Sequence, residues 1–123
     1  MARVLIVDDT DIVRRALELA VRKMGHEAES TSEPLRALEL ALARPPDLAL
    51  LDYRMPGMDG VTLFGELATA LGDRCPKVLF VSATPPEEVR AHATPAALQP
   101  IGYVKKPFHL DDLSRIVTEA LAA

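Results

Sequence analysis

The sequence predicts an α/β fold in which a doubly wound parallel sheet carries helices on both faces. Three observations point there. Val4-Leu5-Ile6-Val7, Leu48-Ala49-Leu50-Leu51 and Val78-Leu79-Phe80-Val81 are short unbroken apolar runs, the pattern of strands buried on both faces. Longer stretches with apolar residues every three or four positions lie between them. The two patterns alternate as strand then helix along the whole chain, which is the order that builds a parallel sheet.

Each element has its own signal. The first strand is Val4 to Val7, and the helix after it carries Ile12, Val13, Ala16, Leu17, Ala20, Val21 and Met24 on one face, with Gly25 as its stop. The second strand, around Glu27 to Ser30, is polar enough to predict a sheet edge. Ser32 or Thr31 is expected to cap a second helix carrying Leu35, Leu38 and Leu42 and closed by Pro45-Pro46. After the third strand, Asp59 caps a helix with Val61, Phe64, Leu67, Ala68 and Leu71, ending at Gly72. The fourth helix follows Pro85-Pro86 and is clear from Glu87 to Ala93, beyond which Pro95 and Pro100 break the pattern. A fifth strand ends at Lys105 and Lys106, and a fifth helix from about Leu110 carries Leu113, Ile116, Val117, Ala120 and Leu121.

Composition narrows the function classes. At 123 residues the expectation is one domain, residues 1–123, large enough to fold without disulfides. Fourteen basic against eighteen acidic residues give a net charge of −4, which argues against phosphate-neutralising nucleic-acid binding. The single cysteine, Cys75, cannot form an internal disulfide, and no apolar stretch is long enough for a signal peptide or a membrane span. A cytoplasmic protein is expected. His26, His92 and His109 show no metal-ligand spacing.

In such sheets ligands sit beyond the carboxyl ends of the strands. The unusual polar residues gather there: Asp8 and Asp9 after the first strand, Asp52 after the third, Ser82 and Thr84 after the fourth, Lys105 and Lys106 at the fifth. Three carboxylates in one pocket need a cation or a shared proton. Hard oxygen ligands with few fixed partners suit magnesium, which keeps several waters and often bridges to phosphate. A lysine and a hydroxyl opposite would serve a phosphoryl group, whose transfer needs mainly positioning and charge neutralisation. A carboxylate can itself be the nucleophile and form an aspartyl-phosphate.

These segments resemble the receiver domain of two-component response regulators over the whole chain. They are Val7-Asp8-Asp9, Leu51-Asp52-Tyr53-Arg54-Met55-Pro56-Gly57-Met58-Asp59-Gly60, Val81-Ser82-Ala83 and Gly102-Tyr103-Val104-Lys105-Lys106-Pro107-Phe108. The resemblance implies a flavodoxin-like (βα)5 sandwich with strand order 2-1-3-4-5. It implies Asp52 as phosphoacceptor, with Asp9, Asp52 and the backbone carbonyl of Arg54 as magnesium ligands and Asp8 acting mostly through a metal-bound water. Lys106, which immediately precedes Pro107, matches the family lysine, and the Lys106–Pro107 bond is expected to be cis. Ser82 would bind the phosphoryl group and Tyr103 would reorient with it. Arg54 and Thr84 match variable positions that line the route of the hydrolytic water.

The function implied is that of a phosphorelay module taking a phosphoryl group from a histidine kinase or phosphotransfer protein. It would catalyse its own phosphorylation and slow dephosphorylation without being a conventional turnover enzyme. Its switching surface would be the fourth helix, fifth strand and fifth helix, read by a downstream protein, with the chain a monomer or weak dimer. The region of Pro95 and Pro100 departs from the family pattern on that surface. No effector domain is visible after the fifth helix, so a stand-alone regulator and a piece of a longer protein are both open. Competing readings are weaker. A haloacid dehalogenase-type phosphatase would place a second aspartate where Arg54 stands, and a flavodoxin-like nucleotide binder would need a glycine-rich phosphate loop. An inactive pseudo-receiver is opposed by the complete Asp, Ser and Lys set.

Overall fold

The protein is described here by a computed structural model covering residues 1–91 and 99–123. Five strands, β1 (Arg3–Val7), β2 (Glu27–Thr31), β3 (Leu48–Leu51), β4 (Lys77–Ser82) and β5 (Gly102–Lys105), form one parallel sheet in the order β2-β1-β3-β4-β5. The connecting helices are α1 (Asp11–Lys23), α2 (Pro34–Ala43), α3 (Gly60–Leu71), α4 (Pro86–Ala91) and α5 (Leu110–Ala122). A 3-10 turn, Gly72–Arg74, follows α3.

The unbroken apolar runs divide between two cores because successive strand side chains point to opposite faces. Leu5, Val7, Ala49, Leu51, Val78 and Phe80 face one core with α2, α3 and Val89 of α4. Val4, Ile6, Leu48, Leu50, Leu79 and Val81 face the other with α1 and α5. Each fully buried leucine contributes about 1.5–3 kcal/mol of transfer free energy, so both faces are held firmly. At the polar edge, Arg3 pairs with Glu27 and Glu29 of β2 at 3.0 and 2.6 Å.

Three details differ from the sequence reading. Neither Ser32 nor Thr31 caps α2. Glu33 takes the cap position without a side-chain cap bond and Pro34 opens the helix, while Thr31 ends β2 and accepts from the Glu33 amide at 3.1 Å. The buried face of α2 is Pro34, Ala37 and Ala41, flanked by Leu38 and Leu40, whereas Leu35 and Leu42 are exposed. At 3.6 residues per turn Leu35 and Leu42 fall to the side of this face. In α1, Ile12 is exposed, because at 3.6 residues per turn it lies aside from the stripe of Val13, Leu17, Ala20 and Met24. The expected end of the fourth helix at Ala93, and the break at Pro95, lie outside the described residues. Among the described residues, no helix is long and apolar enough to cross a membrane.

Candidate functional site

The carboxyl edge of the sheet gathers the candidate residues by extending the strand ladders one step further. The Asp8 amide donates to Thr31 O at 3.2 Å, the Asp52 amide to Val7 O at 2.9 Å, and the Lys106 amide to Ser82 O at 2.9 Å. Main-chain bonds thus fix where all three side chains start. Asp8, Asp9 and Asp52 each offer an oxygen to a cluster whose atoms lie within 4.8 Å of one another. Asp8 and Asp52 are buried, whereas Asp9 is exposed at the mouth.

Lys106 answers this negative charge. Its Nζ stands 2.7 Å from Asp8 Oδ2 and 3.3 Å from Asp52 Oδ2. The other oxygen of Asp8 accepts from the Thr10 amide at 2.9 Å, a tight local turn that fixes the carboxylate, and Arg14 donates to the Asp8 carbonyl at 2.9 Å. Lys105, one residue earlier, is exposed. The Lys106–Pro107 peptide bond is cis.

Asp52 is electrostatically divided. Burial raises its carboxyl above the ordinary carboxylate range, opposed by the Lys106 charge, while the Asp8 charge raises it further and hydrogen bonds from Ser82 and Lys106 lower it. The net direction is upward. A carboxylate held this way gains from any added cation.

The loop after β3 supplies the floor. Gly57 has φ +85°, in the left-handed region that glycine enters without penalty, and so turns the chain after Pro56. Asp59 caps α3 as expected, accepting from the Thr62 amide at 2.8 Å. Gly60 donates to Tyr53 O at 2.7 Å, and a Cβ built on it would stand 2.3 Å from the Asp52 carbonyl oxygen. The helix start therefore lies directly on the peptide of Asp52, where only a hydrogen fits.

Opposite, Ser82 is buried and its Oγ accepts from the Thr84 amide at 3.1 Å. It caps a local turn before α4 and does not cap the helix itself, which begins at Pro86. Thr84 is buried as well. Tyr103 is half-buried, stacked on Phe80 at 5.9 Å, with the Arg90 guanidinium carbon 4.8 Å from its ring centroid. The exposed Arg54 side chain pairs with Glu88 at 3.2 Å, its guanidinium carbon 5.7 Å from the Tyr53 ring centroid. Sequence reasoning missed Glu88 and Arg90, which carry no spacing signal, and it treated Gly60 only as part of a motif.

The remaining candidates stay apart from this cluster. His26 Nδ1 accepts from the Ala2 amide at 3.0 Å, and His109 holds the cap position of α5. Burial raises the Cys75 thiol, which disfavours the reactive thiolate. His92 lies outside the described residues.

Comparison with known proteins agrees with this geometry. The family described as response regulator receiver domain matches residues 4–118. The regulatory protein AtoC of Escherichia coli is 39% identical over 119 residues, covering 97% of this chain and 25% of its own length. The transcriptional regulatory protein KdpE of Mycobacterium tuberculosis is 31% identical over 112 residues, covering 91% of this chain and 47% of its own. The chain thus spans about a quarter to a half of these relatives. Among solved structures, the chemotaxis protein CheY4 of Vibrio cholerae superposes with a TM-score of 0.86 at 25% identity, covering 98% of both chains.

Proposed function

Because the chain belongs to the response regulator receiver domain family, we propose that it accepts a phosphoryl group on Asp52 as one receiver unit spanning residues 1–123. The observation that carries this reading is the ammonium of Lys106, 2.7 Å from Asp8 and 3.3 Å from Asp52 across the acidic cluster. Receiver domains act in two-component signalling and interact with histidine kinases or phosphotransfer proteins, so the donor is a phosphohistidine. An Asp52 carboxylate oxygen attacks phosphorus as the phosphorus–nitrogen bond breaks. The electron pair goes to the imidazole nitrogen, which takes up a proton from solvent, and an acyl phosphate remains on Asp52.

The donor set fits a hard divalent cation, since three carboxylate oxygens within 4.8 Å of one another form a compact all-oxygen site. Asp9, Asp52 and the Arg54 carbonyl would hold magnesium, with Asp8 acting through its water. When bound, magnesium neutralises charge on the carboxylates and on the incoming phosphoryl oxygens. Lys106 exchanges its contact with Asp52 for a phosphoryl oxygen, a charge-assisted hydrogen bond. The Ser82 hydroxyl is the next donor. Its shift opens space toward Tyr103, and the surface of α4, β5 and α5 reports the change to a downstream protein. The module catalyses its own modification and slow hydrolysis without turning over a separate substrate, and we place it in the cytoplasm.

Intact mass after incubation with acetyl phosphate and magnesium tests this. A phosphate adduct on the unaltered chain that is absent from Asp52→Asn and in excess EDTA is the expected result. An adduct persisting in Asp52→Asn overturns it.

A further inference from the structure

Arg54 and Glu88 join the two segments that flank the phosphoacceptor. Arg54 lies two residues after Asp52, so their Cα atoms are within about 7 Å. Glu88 lies in the first turn of α4, which follows the loop of Ser82 and Thr84. Their ion pair, at 3.2 Å, is exposed, with 72% and 58% of the side-chain surfaces accessible. Behind it Val89 seats α4 in the core and the exposed Arg90 lies over the Tyr103 ring. The pair is therefore the outermost tie between α4 and the loop that begins at Asp52.

An exposed ion pair is weakly held and readily exchanged. A phosphoryl group on Asp52 would bring about two negative charges and three strong acceptors to a residue only two positions from Arg54. Arginine meets phosphate oxygens with a planar fork of donors, a better match than a lone solvated carboxylate. The two anions compete for one cation.

We propose that Arg54 binds the phosphoryl group carried by Asp52, and that Glu88 restrains Arg54 on α4 until that group arrives. The proposal rests on the phosphoacceptor reading and deepens it. Modification then does two things at once. It gains a second cationic contact beside Lys106, and it frees α4 from the Asp52 loop. Glu88 is a positioning residue, acting only through Arg54.

The test is calorimetric titration with beryllofluoride, a phosphoryl mimic, in the presence of magnesium. Glu88→Gln should tighten binding by about 1.5- to 5-fold, the coupling typical of a surface ion pair. Arg54→Gln should weaken it, Arg54→Lys should recover part, and Glu88→Gln should have no effect in the Arg54→Gln background. The Arg54 Nε–H resonance should shift on titration of the unaltered chain. Unchanged affinity in Glu88→Gln, or an equal Glu88→Gln effect with and without Arg54, overturns the restraint while leaving the phosphoacceptor reading intact. Failure of the unaltered chain both to bind beryllofluoride and to take a phosphate adduct overturns both.

Discussion

Gly60 offers a sharp physical test of how the site is built, because Gly65 in the same helix provides its own control. A methyl group at Gly60 would stand 2.3 Å from the Asp52 carbonyl oxygen, 3.1 Å from its carbonyl carbon and 3.1 Å from a ring carbon of Phe80. None of these is the loose end of a flexible chain. Either α3 retreats and lengthens the 2.7 Å Gly60–Tyr53 bond, or the Asp52 peptide moves. Overpacking of this kind costs about 1–3 kcal/mol. A weakened hydrogen bond adds about 1 kcal/mol, and alanine's advantage in a helix returns at most about 1 kcal/mol. Gly60→Ala should therefore lose about 1–3 kcal/mol, a fall in melting temperature on the order of 10 °C. A methyl at Gly65 meets nothing within 4 Å, so Gly65→Ala should gain about 0.5–1 kcal/mol from helix propensity alone. Urea titrations of both variants decide the matter, provided the slopes match the parent. Where both variants are folded, Gly60→Ala should also take the phosphate adduct more slowly, since the displaced peptide belongs to the proposed acceptor. A Gly60→Ala midpoint at or above that of the parent would refute the close approach.

Asp52→Asn should raise stability at neutral pH in EDTA. Burial, reinforced by the Asp8 charge, holds the Asp52 carboxyl above its ordinary range despite Lys106 and Ser82, so ionised Asp52 costs stability. That cost is absent below the unfolded-state pKa and complete above the folded one, so the advantage of the variant should vanish as the pH falls through the carboxylate range. A destabilised Asp52→Asn at neutral pH contradicts the assignment. Magnesium should stabilise the parent more than this variant, measured as a shift in thermal midpoint. Lys106→Met strands the buried Asp8 and Asp52 carboxylates and should cost up to about 3–5 kcal/mol in urea titrations without metal. Lys105→Ala, at an exposed position, should stay within about 0.5 kcal/mol, and the reverse pattern would place the wrong lysine in the site. Ser82→Ala should remain modifiable at Asp52 yet show smaller beryllofluoride-induced amide shifts around Tyr103, and equal shifts in both proteins would uncouple the two residues.

The sheet was legible because strands buried on both faces need unbroken apolar runs, and nothing polar dilutes the signal in Leu48–Leu51 or Val78–Val81. The acidic cluster was legible for a related reason. A strand of fixed rise delivers whatever follows it to one edge, so Asp8, Asp52 and Lys106 converge once the strands are parallel. The face of α2 was misread because hydrophobicity alone ranks Leu35 and Leu42 above Ala37 and Ala41. Pro34, Ala37 and Ala41 centre the buried arc, and at 3.6 residues per turn Leu35 and Leu42 lie about a quarter turn away from it.

A second kind of information was out of reach for a different reason. Glu88 with Arg54, and Arg90 with Tyr103, are pairs between segments that meet only after the sheet has formed. Charged residues on a six-residue helix read as ordinary solvent-facing positions until the partner is known. Yet among the described residues these pairs and Val89 tie α4 to its neighbours. Strand ends fix the chemistry of the site through main-chain bonds that tolerate little change. The ties of α4 through Arg54–Glu88 and Arg90–Tyr103 are instead made by exposed charged side chains, individually weak and readily exchanged. On the phosphoacceptor reading, a charge added at Asp52 would act first on these exposed contacts, while the buried Val89 would keep α4 seated on the core.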